Sequence, residues 1–353
     1  MQAAYHQTLP VSEPAFVTLD RWGGGSVEKY NRTVPQDVST PAAARLTFKE
    51  DASHLRSDTY TIPEDFTATL DGALVSAQYN VVLTASGDVV VESSNAGKPE
   101  YFHPGTLAFR RERALPGHSA LWRSRFHNYY HLLIDGLPRL LALDQPPHNR
   151  LDEIKLLCPG GLSETERFFI DALELENARV EELDERYHYR AEHLILTPPK
   201  TQWQSGYLPA RYVRRLRARL CPDRPPRRTG RLFVSREQAG RRVLANRADL
   251  MAALRPRGFR KVVLEELSPQ EQIDTLYDAR VVVAPHGAGL ANMLFAPPGL
   301  RVVEVFPTRY VVPHYFFLSR SLGHDYACCC HDGDDIQTET FAADVAAVCS
   351  TLN

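Results

Sequence analysis

At 353 residues the chain is too long for one comfortable hydrophobic core and suits two α/β domains with a smaller appendage. With 43% hydrophobic residues, 24% charged residues and a formal net charge of −2, its composition is that of an ordinary globular protein without bulk affinity for nucleic acid. No apolar run approaches the roughly 20 residues that span a bilayer, and the start MQAAYHQTLP lacks the regions of a signal peptide, so the expectation is a cytoplasmic protein. The six cysteines agree with a reducing compartment: Cys158, Cys221 and Cys349 stand singly and Cys328, Cys329 and Cys330 are adjacent, which is no disulfide framework. Cys328 and Cys330 would share one strand face near His324 and His331, a conceivable metal site, but buried unpaired thiols are the simpler expectation.

Residues 1 to about 45 are rich in Pro, Gly, Ser and Thr without a sustained period and read as an irregular lead-in. From Asp65 to Glu92 short apolar stretches alternate with Asp-Gly, Ser-Gly-Asp and Asn turn signals, the pattern of small antiparallel strands, so residues 1–105 are assigned as lead-in plus a β-rich accessory segment. Strand and helix then alternate. SALWRS, IKLLC and HLILTPP read as strands; HNYYHLLIDGLPRLLALD and SETERFFIDALEL read as helices, the second with Ser163 as N-cap and Glu166 at the capping-box position. Gly136 and Pro138 threaten the regularity of the first helix. The basic helix RYVRRLRARL and the break CPDRPPRRTG close a domain of residues 106–222.

Residues 223–353 repeat the alternation more clearly. RLFVS, KVVLEEL, RVVVAP, RVVEVF and HDYACCC read as strands. NRADLMAAL with Asn246 as cap, SPQEQIDTLYDA, the short GAGLANMLF, HYFFLSRSLG and the stretch from Phe341 to Cys349 read as helices. The βα repeat is of doubly wound type.

Three groups of residues carry chemistry. In VVVAPHGAGLANMLFAPPG a buried strand ends at Pro285 and a His-Gly-Ala-Gly turn, His286 to Gly289, opens a helix. Glycines there admit a ligand to the backbone, and amides at a helix start suit a phosphate oxygen, although a turn that needs glycine for packing alone has the same spelling. In RLFVSREQAGRRVLAN, Ser235 and Arg236 leave the first strand of the same domain and Arg241, Arg242 and Asn246 follow. Strand ends of one sheet face one crevice, and arginine presents a charged fork to phosphate oxygens; a solvated basic loop is the plainer alternative. In the other domain His127, His131 and Asp135 are spaced four apart and would share one helical face. A histidine with a carboxylate one turn away can take a proton from a sugar hydroxyl, while the same residue types fit a surface helix with an incidental ion pair.

Taken in order, HNYYHLLIDGLPRL, SREQAGRRVLAN and LSPQEQIDTLYDARVVVAPHGAGLANMLFAPPGLRVVEVFP resemble glycosyltransferase family 61, over about residues 126–322. The resemblance implies a GT-B architecture of two Rossmann-like domains facing a cleft, with the donor in the C-terminal one. It implies inverting transfer from a nucleotide sugar to a glycan or lipid-linked acceptor, in surface polysaccharide synthesis, with no divalent metal and no other cofactor. It places an Asn-Tyr-x-His-x3-Asp pattern on Asn128, Tyr129, His131 and Asp135. It places donor contacts on Ser235, Arg236, Arg242 and Asn246, on His286, Gly287, Ala288 and Gly289, and on Asn292, with Phe295 following. Glu304, at the end of the next strand, is expected to meet the ribose or the sugar. Leu132 stands where such sequences often carry tryptophan and Gly136 where a larger residue is common, so a reshaped acceptor pocket is expected.

In the expected mechanism His131 or Asp135 is the base, and Arg236, Arg242 and the amides after His286 stabilise the leaving diphosphate. Asp332, Asp334 and Asp335 form an acidic late loop that is expected to be solvated. A dehydrogenase or epimerase reading lacks the G-x-G-x-x-G after a first strand. A binding protein of the same fold without catalysis is the remaining alternative. Arg211, Arg214, Arg215 and Arg219 line one helical face without aromatic interleaving. They are expected to be a solvated face pairing with nearby acidic segments rather than a nucleic-acid site, and they are compatible with peripheral contact at an anionic membrane surface.

Overall fold

Two sheets organise the chain. The computed structural model describes residues 15–39, 45–47, 59–94, 102, 111–200, 206–307, 312–331 and 340–352. The first sheet holds strands β1 (Asp65–Ser76), β2 (Arg111–Leu121), β3 (Ile154–Pro159), β4 (Ala178–Leu183) and β5 (Tyr187–Leu196), in the order β1-β5-β2-β3-β4. β5, β2, β3 and β4 run parallel, and β1 is antiparallel to β5. The apolar run of β3 is buried over nearly its whole length, as a central parallel strand requires. The helices of this half are α1 (residues 129–143), α2 (Glu164–Ala172) and α3 (Ala210–Leu220). The expected capping box closes around α2, with the Ser163 and Glu166 side chains each bonding the other's backbone amide.

The second sheet is wholly parallel. Its strands β6 (Gly230–Ser235), β7 (Arg260–Val263), β8 (Ala279–Pro285), β9 (Arg301–Pro307) and β10 (Asp325–His331) lie in the order β7-β6-β8-β9-β10. Helices α4 (Arg247–Leu254), α5 (Pro269–Tyr277), α6 (His314–Leu322) and α7 (Val345–Ser350) complete it. This is the doubly wound arrangement, with the reversal of strand order between β6 and β8.

Several expectations change. The N-terminal stretch is woven into both sheets. Val27–Thr33 pairs with β1, and Arg45–Thr47 adds a parallel strand beside β10. The Asp71-Gly72 turn signal lies inside β1, which continues through Gly72 at a φ of +69°, a conformation glycine adopts freely. β4 was missed. KVVLEEL is a strand only to Val263, and residues 264–266 form a 3₁₀ turn. GAGLANMLF is a 3₁₀ rather than an α-helix (Ala288–Phe295). Asn246 precedes α4 without a side-chain capping bond. The acidic residues Asp332, Asp334 and Asp335, and the boundary expected at residues 105 and 106, lie outside the described residues.

One apolar core runs from sheet to sheet, through Leu133, Leu137 and Leu140 of α1, Leu216 of α3, Phe295 and Phe316. On α3 Arg214 is exposed and the half-buried Arg211, Arg215 and Arg219 pair with Asp65 and Asp144, as a face that pairs with nearby acidic segments requires, while Arg217 braces the junction. Arg217 donates to the carbonyls of Leu294 and Ala296, and Arg215 and Arg219 both reach Asp144. Cys328 packs into this core and Cys329 into the one on the other side of the sheet. His324 is turned away from them and bonds the Met293 carbonyl at 3.0 Å.

Candidate functional site

The strand reversal between β6 and β8 opens the crevice where doubly wound sheets receive ligands. Buried Ser235 ends β6 and is followed by Arg236; Pro285 ends β8 and is followed by His286. The Arg236 guanidinium lies against Gly287 so closely that a Cβ there would collide with it. The φ of Gly287 is 175°, extended backbone open to any residue, so this close approach is what calls for glycine. Gly289 answers a different need, because a Cβ there would come within 2.8 Å of Leu264.

Arg236 donates through Nη2 to the Arg241 carbonyl at 3.2 Å, while its buried Nε has no hydrogen-bond partner among the described residues. Arg242, at a φ of 55°, donates to the His286 carbonyl at 3.2 Å; Arg241 is exposed. Burial, and then the neighbouring Arg242, pushes the Arg236 guanidinium below its ordinary value. Two guanidinium groups and an orphaned donor held at a strand switch point suit a polyanionic ligand.

His286 deepens that site. Its Nδ1 lies 2.5 Å from Glu304 Oε1, and Glu304 Oε2 accepts the Tyr326 hydroxyl at 2.6 Å. Burial, then Arg242 and Arg236, holds His286 well below its ordinary value, and burial holds Glu304 well above. Both shifts favour the uncharged forms of the two groups; in that arrangement Oε1 donates to Nδ1 and the imidazole N–H is on Nε2, a donor.

In the other half, Asn128 caps α1 by accepting the His131 N–H at 3.1 Å. His127 precedes the cap and so does not share the helical face expected of it. Residues 132–136 widen into a π turn, which absorbs Gly136 and leaves Pro138 in the first turn of the regular helix beyond. Gly136 has no room for a larger residue without pressing on Trp122, 3.3 Å from where its Cβ would be. His131 Nδ1 lies 2.7 Å from Asp135 Oδ2, and the other oxygen of this fully buried carboxylate accepts the Lys200 backbone N–H at 2.9 Å. With both oxygens accepting, Nδ1 carries the proton and Nε2 is the basic nitrogen.

The His131 side chain, 16% exposed, walls a cavity of about 500 Å³ that also involves Trp122, Phe126, Asn128, Glu166 and Glu185. Phe126 stacks on the imidazole at 5.4 Å. Tyr130 meets the imidazole edge-on at 5.1 Å, its ring lies 5.0 Å from His314, and His314 stands 6.2 Å from His286. The His131–Asp135 pair and the arginine-lined switch point are thus neighbours across a few packed rings.

Four of the residues expected to touch ligand are engaged inside the protein. The Tyr129 hydroxyl donates to Asn292 Oδ1 at 2.7 Å, and the Asn292 amide donates to Gln272 and to the Gly289 carbonyl. Asn246 bonds both the N–H and the carbonyl of Ala343. Glu304 is fully buried behind His286. Ala288 opens the 3₁₀ segment, and Phe295 stacks on Phe169, a core contact. Sequence reasoning missed Lys200, Tyr315, whose hydroxyl donates to the Gly287 carbonyl at 2.7 Å, and Arg139. Arg139 is fully buried four residues beyond Asp135; burial lowers its guanidinium to about 10, against the supporting charge of Asp135. Only the i, i+4 spacing from Asp135 could have drawn attention to it.

Comparison with known proteins bears on the whole arrangement. The family model described as Glycosyltransferase 61 matches residues 129–303, from the start of α1 into β9. A beta-1,2-xylosyltransferase of Oryza sativa subsp. japonica, XAX1, is 33% identical over 129 residues, covering 34% of this chain and 22% of the relative. A beta-1,2-xylosyltransferase of Arabidopsis thaliana is 28% identical over 64 residues, covering 18% of this chain and 12% of its own length. The beta-1,2-xylosyltransferase RCN11 of Oryza sativa subsp. japonica is 32% identical over 60 residues, covering 17% and 11%. The matched stretches thus span less than a quarter of the length of these relatives. Both motif blocks, the one around His131 and the one around His286, fall within the matched residues, and the chain belongs to glycosyltransferase family 61.

Proposed function

We propose that the chain is an inverting, metal-independent glycosyltransferase that moves a pentosyl group from a nucleoside-diphosphate sugar to a hydroxyl of a glycan or lipid-linked acceptor. The reading also takes the two halves as a GT-B pair and the setting as surface polysaccharide synthesis on the cytoplasmic side. The names of the relatives make xylose the first donor sugar to test. The observation that carries the reading is the Arg236 guanidinium, pressed on Gly287 with a buried Nε that has no partner among the described residues, beside Arg242 and the His286–Glu304 pair.

The diphosphate occupies the crevice at β6 and β8, and the acceptor hydroxyl enters the cavity walled by His131. Nε2 of His131 takes the hydroxyl proton as the oxygen attacks the anomeric carbon from the face opposite the leaving group. The bond between that carbon and the β-phosphate oxygen breaks, and its electron pair leaves with the nucleoside diphosphate. Arg236, Arg242 and the Nε2–H of His286 meet the charge that develops, which is the task a divalent cation would otherwise perform. Asp135 stabilises the imidazolium formed on His131.

Calorimetry with UDP and GDP in EDTA tests the donor site, and loss of binding on chelation would contradict metal independence. A panel of nucleoside-diphosphate sugars including xylose tests the chemistry. His131→Ala is expected to lower turnover about 10²- to 10⁴-fold with nucleotide affinity near wild type. Nearly unchanged turnover at saturating substrates would sink the base assignment.

A further inference from the structure

Behind Asp135 lies a buried polar cluster that the mechanism above does not use. Lys200 follows Pro198 and Pro199 at the end of β5, two residues without an N–H, so its amide is the first donor after Thr197. That amide donates to Asp135 Oδ1 at 2.9 Å. The Lys200 side chain, 3% exposed, pairs with Asp65 Oδ1 at the start of β1. The Tyr212 hydroxyl donates to the second Asp65 oxygen at 2.5 Å, Arg211 pairs with that same oxygen, and the ammonium lies 4.9 Å over the Tyr212 ring.

We propose that Lys200, anchored by Asp65, is a positioning residue that fixes the Asp135–His131 pair for proton abstraction, and that this is what the N-terminal strand β1 contributes to the reaction. The proposal rests on the reading of His131 as base. A buried ammonium is costly unless a counter-charge and hydrogen bonds accompany it, so removing the Asp65 carboxylate drives Lys200 towards water. Its backbone amide moves with it. Asp135 then loses the donor on Oδ1, and the Nδ1 bond that sets the His131 tautomer slackens. The Asp65 carboxyl stays ionised in place: burial alone would push it up, and Lys200, Tyr212 and Arg211 outweigh that and hold it below its ordinary value.

The test uses Lys200→Met and Asp65→Asn in the full chain, with turnover, donor KM, calorimetric UDP affinity and the pH dependence of kcat as readouts. Displacement of a catalytic group by about 1 Å costs on the order of 10²-fold, so kcat should fall about 10- to 100-fold with UDP affinity within about twofold of wild type. The acid limb of the kcat profile should move to lower pH, because an imidazole less well supported by its carboxylate is a weaker base. Lys200→Arg, which keeps the charge, should recover most of the loss. In a His131→Ala background Lys200→Met should cost nothing further, since it acts through that residue.

The Asp65→Asn/Lys200→Met chain removes both members of the buried pair, leaves only the half-exposed Arg211 without its carboxylate, and gives the same readouts if either single variant fails to fold. Wild-type kcat in these variants, an unmoved pH profile, or an equal further loss in the His131→Ala background would overturn the proposal. A large loss in His131→Ala with none in Lys200→Met overturns the positioning role alone. A silent His131→Ala overturns the base reading beneath it.

Discussion

Gly287→Ala isolates the donor site from the fold. The new methyl group falls where the Arg236 guanidinium now lies. Alanine tolerates the extended backbone at this position, and the displaced group is the far end of a flexible side chain, so the collision is relieved by swinging Arg236 out of the crevice. Folding should scarcely change. Binding should suffer, because a hydrogen bond to a charged group is worth about 1.5–3 kcal/mol and each 1.4 kcal/mol is tenfold in affinity. UDP or GDP affinity should therefore drop on the order of 10- to 100-fold, with thermal unfolding within a few degrees of wild type. Arg236→Ala should lose the same amount, and the double variant no more than either single one, since both remove one contact. Calorimetry in EDTA together with thermal melts makes the measurement. Unchanged affinity in Gly287→Ala, or additive losses in the double variant, would refute the placement of Arg236 on the diphosphate.

Arg242→Ala should weaken nucleotide binding more than Arg241→Ala in the same calorimetric assay, because Arg242 turns in to bond the His286 carbonyl and Arg241 is exposed; equal losses would reverse that assignment. Tyr129→Phe should lower stability by roughly 1–3 kcal/mol in urea titrations, since it leaves the Asn292 oxygen buried without its donor, and should leave nucleotide affinity near wild type. Stability should also fall in acid. Burial holds His148 and His324 at about 4, while their unfolded value is near 6.5. Their contribution is thus complete above about 6.5 and lost as the pH falls towards 4, ~2 kcal/mol each between pH 8 and 5. His286 adds to this slope and Glu304, shifted upward, opposes it. His148→Gln and His324→Gln should each flatten the dependence of the urea midpoint on pH; an unchanged slope in both would contradict the burial argument.

The parts of the fold that could be read in advance are those where one local rule dominates. β3, β8 and β9 are apolar runs bounded by proline or glycine, and α2 announces itself through its capping box. β4 has a weak sequence signal because ARVEEL is an edge strand in which Arg179, Val180 and Glu182 are exposed and only Leu183 is buried, so it shows neither an apolar run nor a clean alternation. The 288–295 segment could not be told from an α-helix because residues 290 to 295 are all buried, and a helix apolar on every side has no period to read. The pairing of Val27–Thr33 and Arg45–Thr47 with distant strands is set by tertiary contacts that the composition of residues 1–45 does not announce.

Within the site, the sequence motifs identified polar residues but not what each one faces. Arg236, Arg242 and His286 gather at the β6–β8 switch point, and His131, held by Asp135, walls the cavity beside α1. Tyr129 and Asn292 carry the same kind of motif signal, yet they bond each other across the junction of the two halves. The distinction is burial. A polar group taken out of water must find a partner within the protein, and at a junction packed as tightly as this one the partners come from the opposing motif. Joining Tyr129 to Asn292 fixes the start of α1 against the 3₁₀ segment that follows His286, and so sets the separation between the His131 and His286 motifs. Lys200 represents the opposite case. It belongs to no motif and acts through a backbone amide that every residue except proline possesses, so only the folded chain reveals which amide has been placed against Asp135.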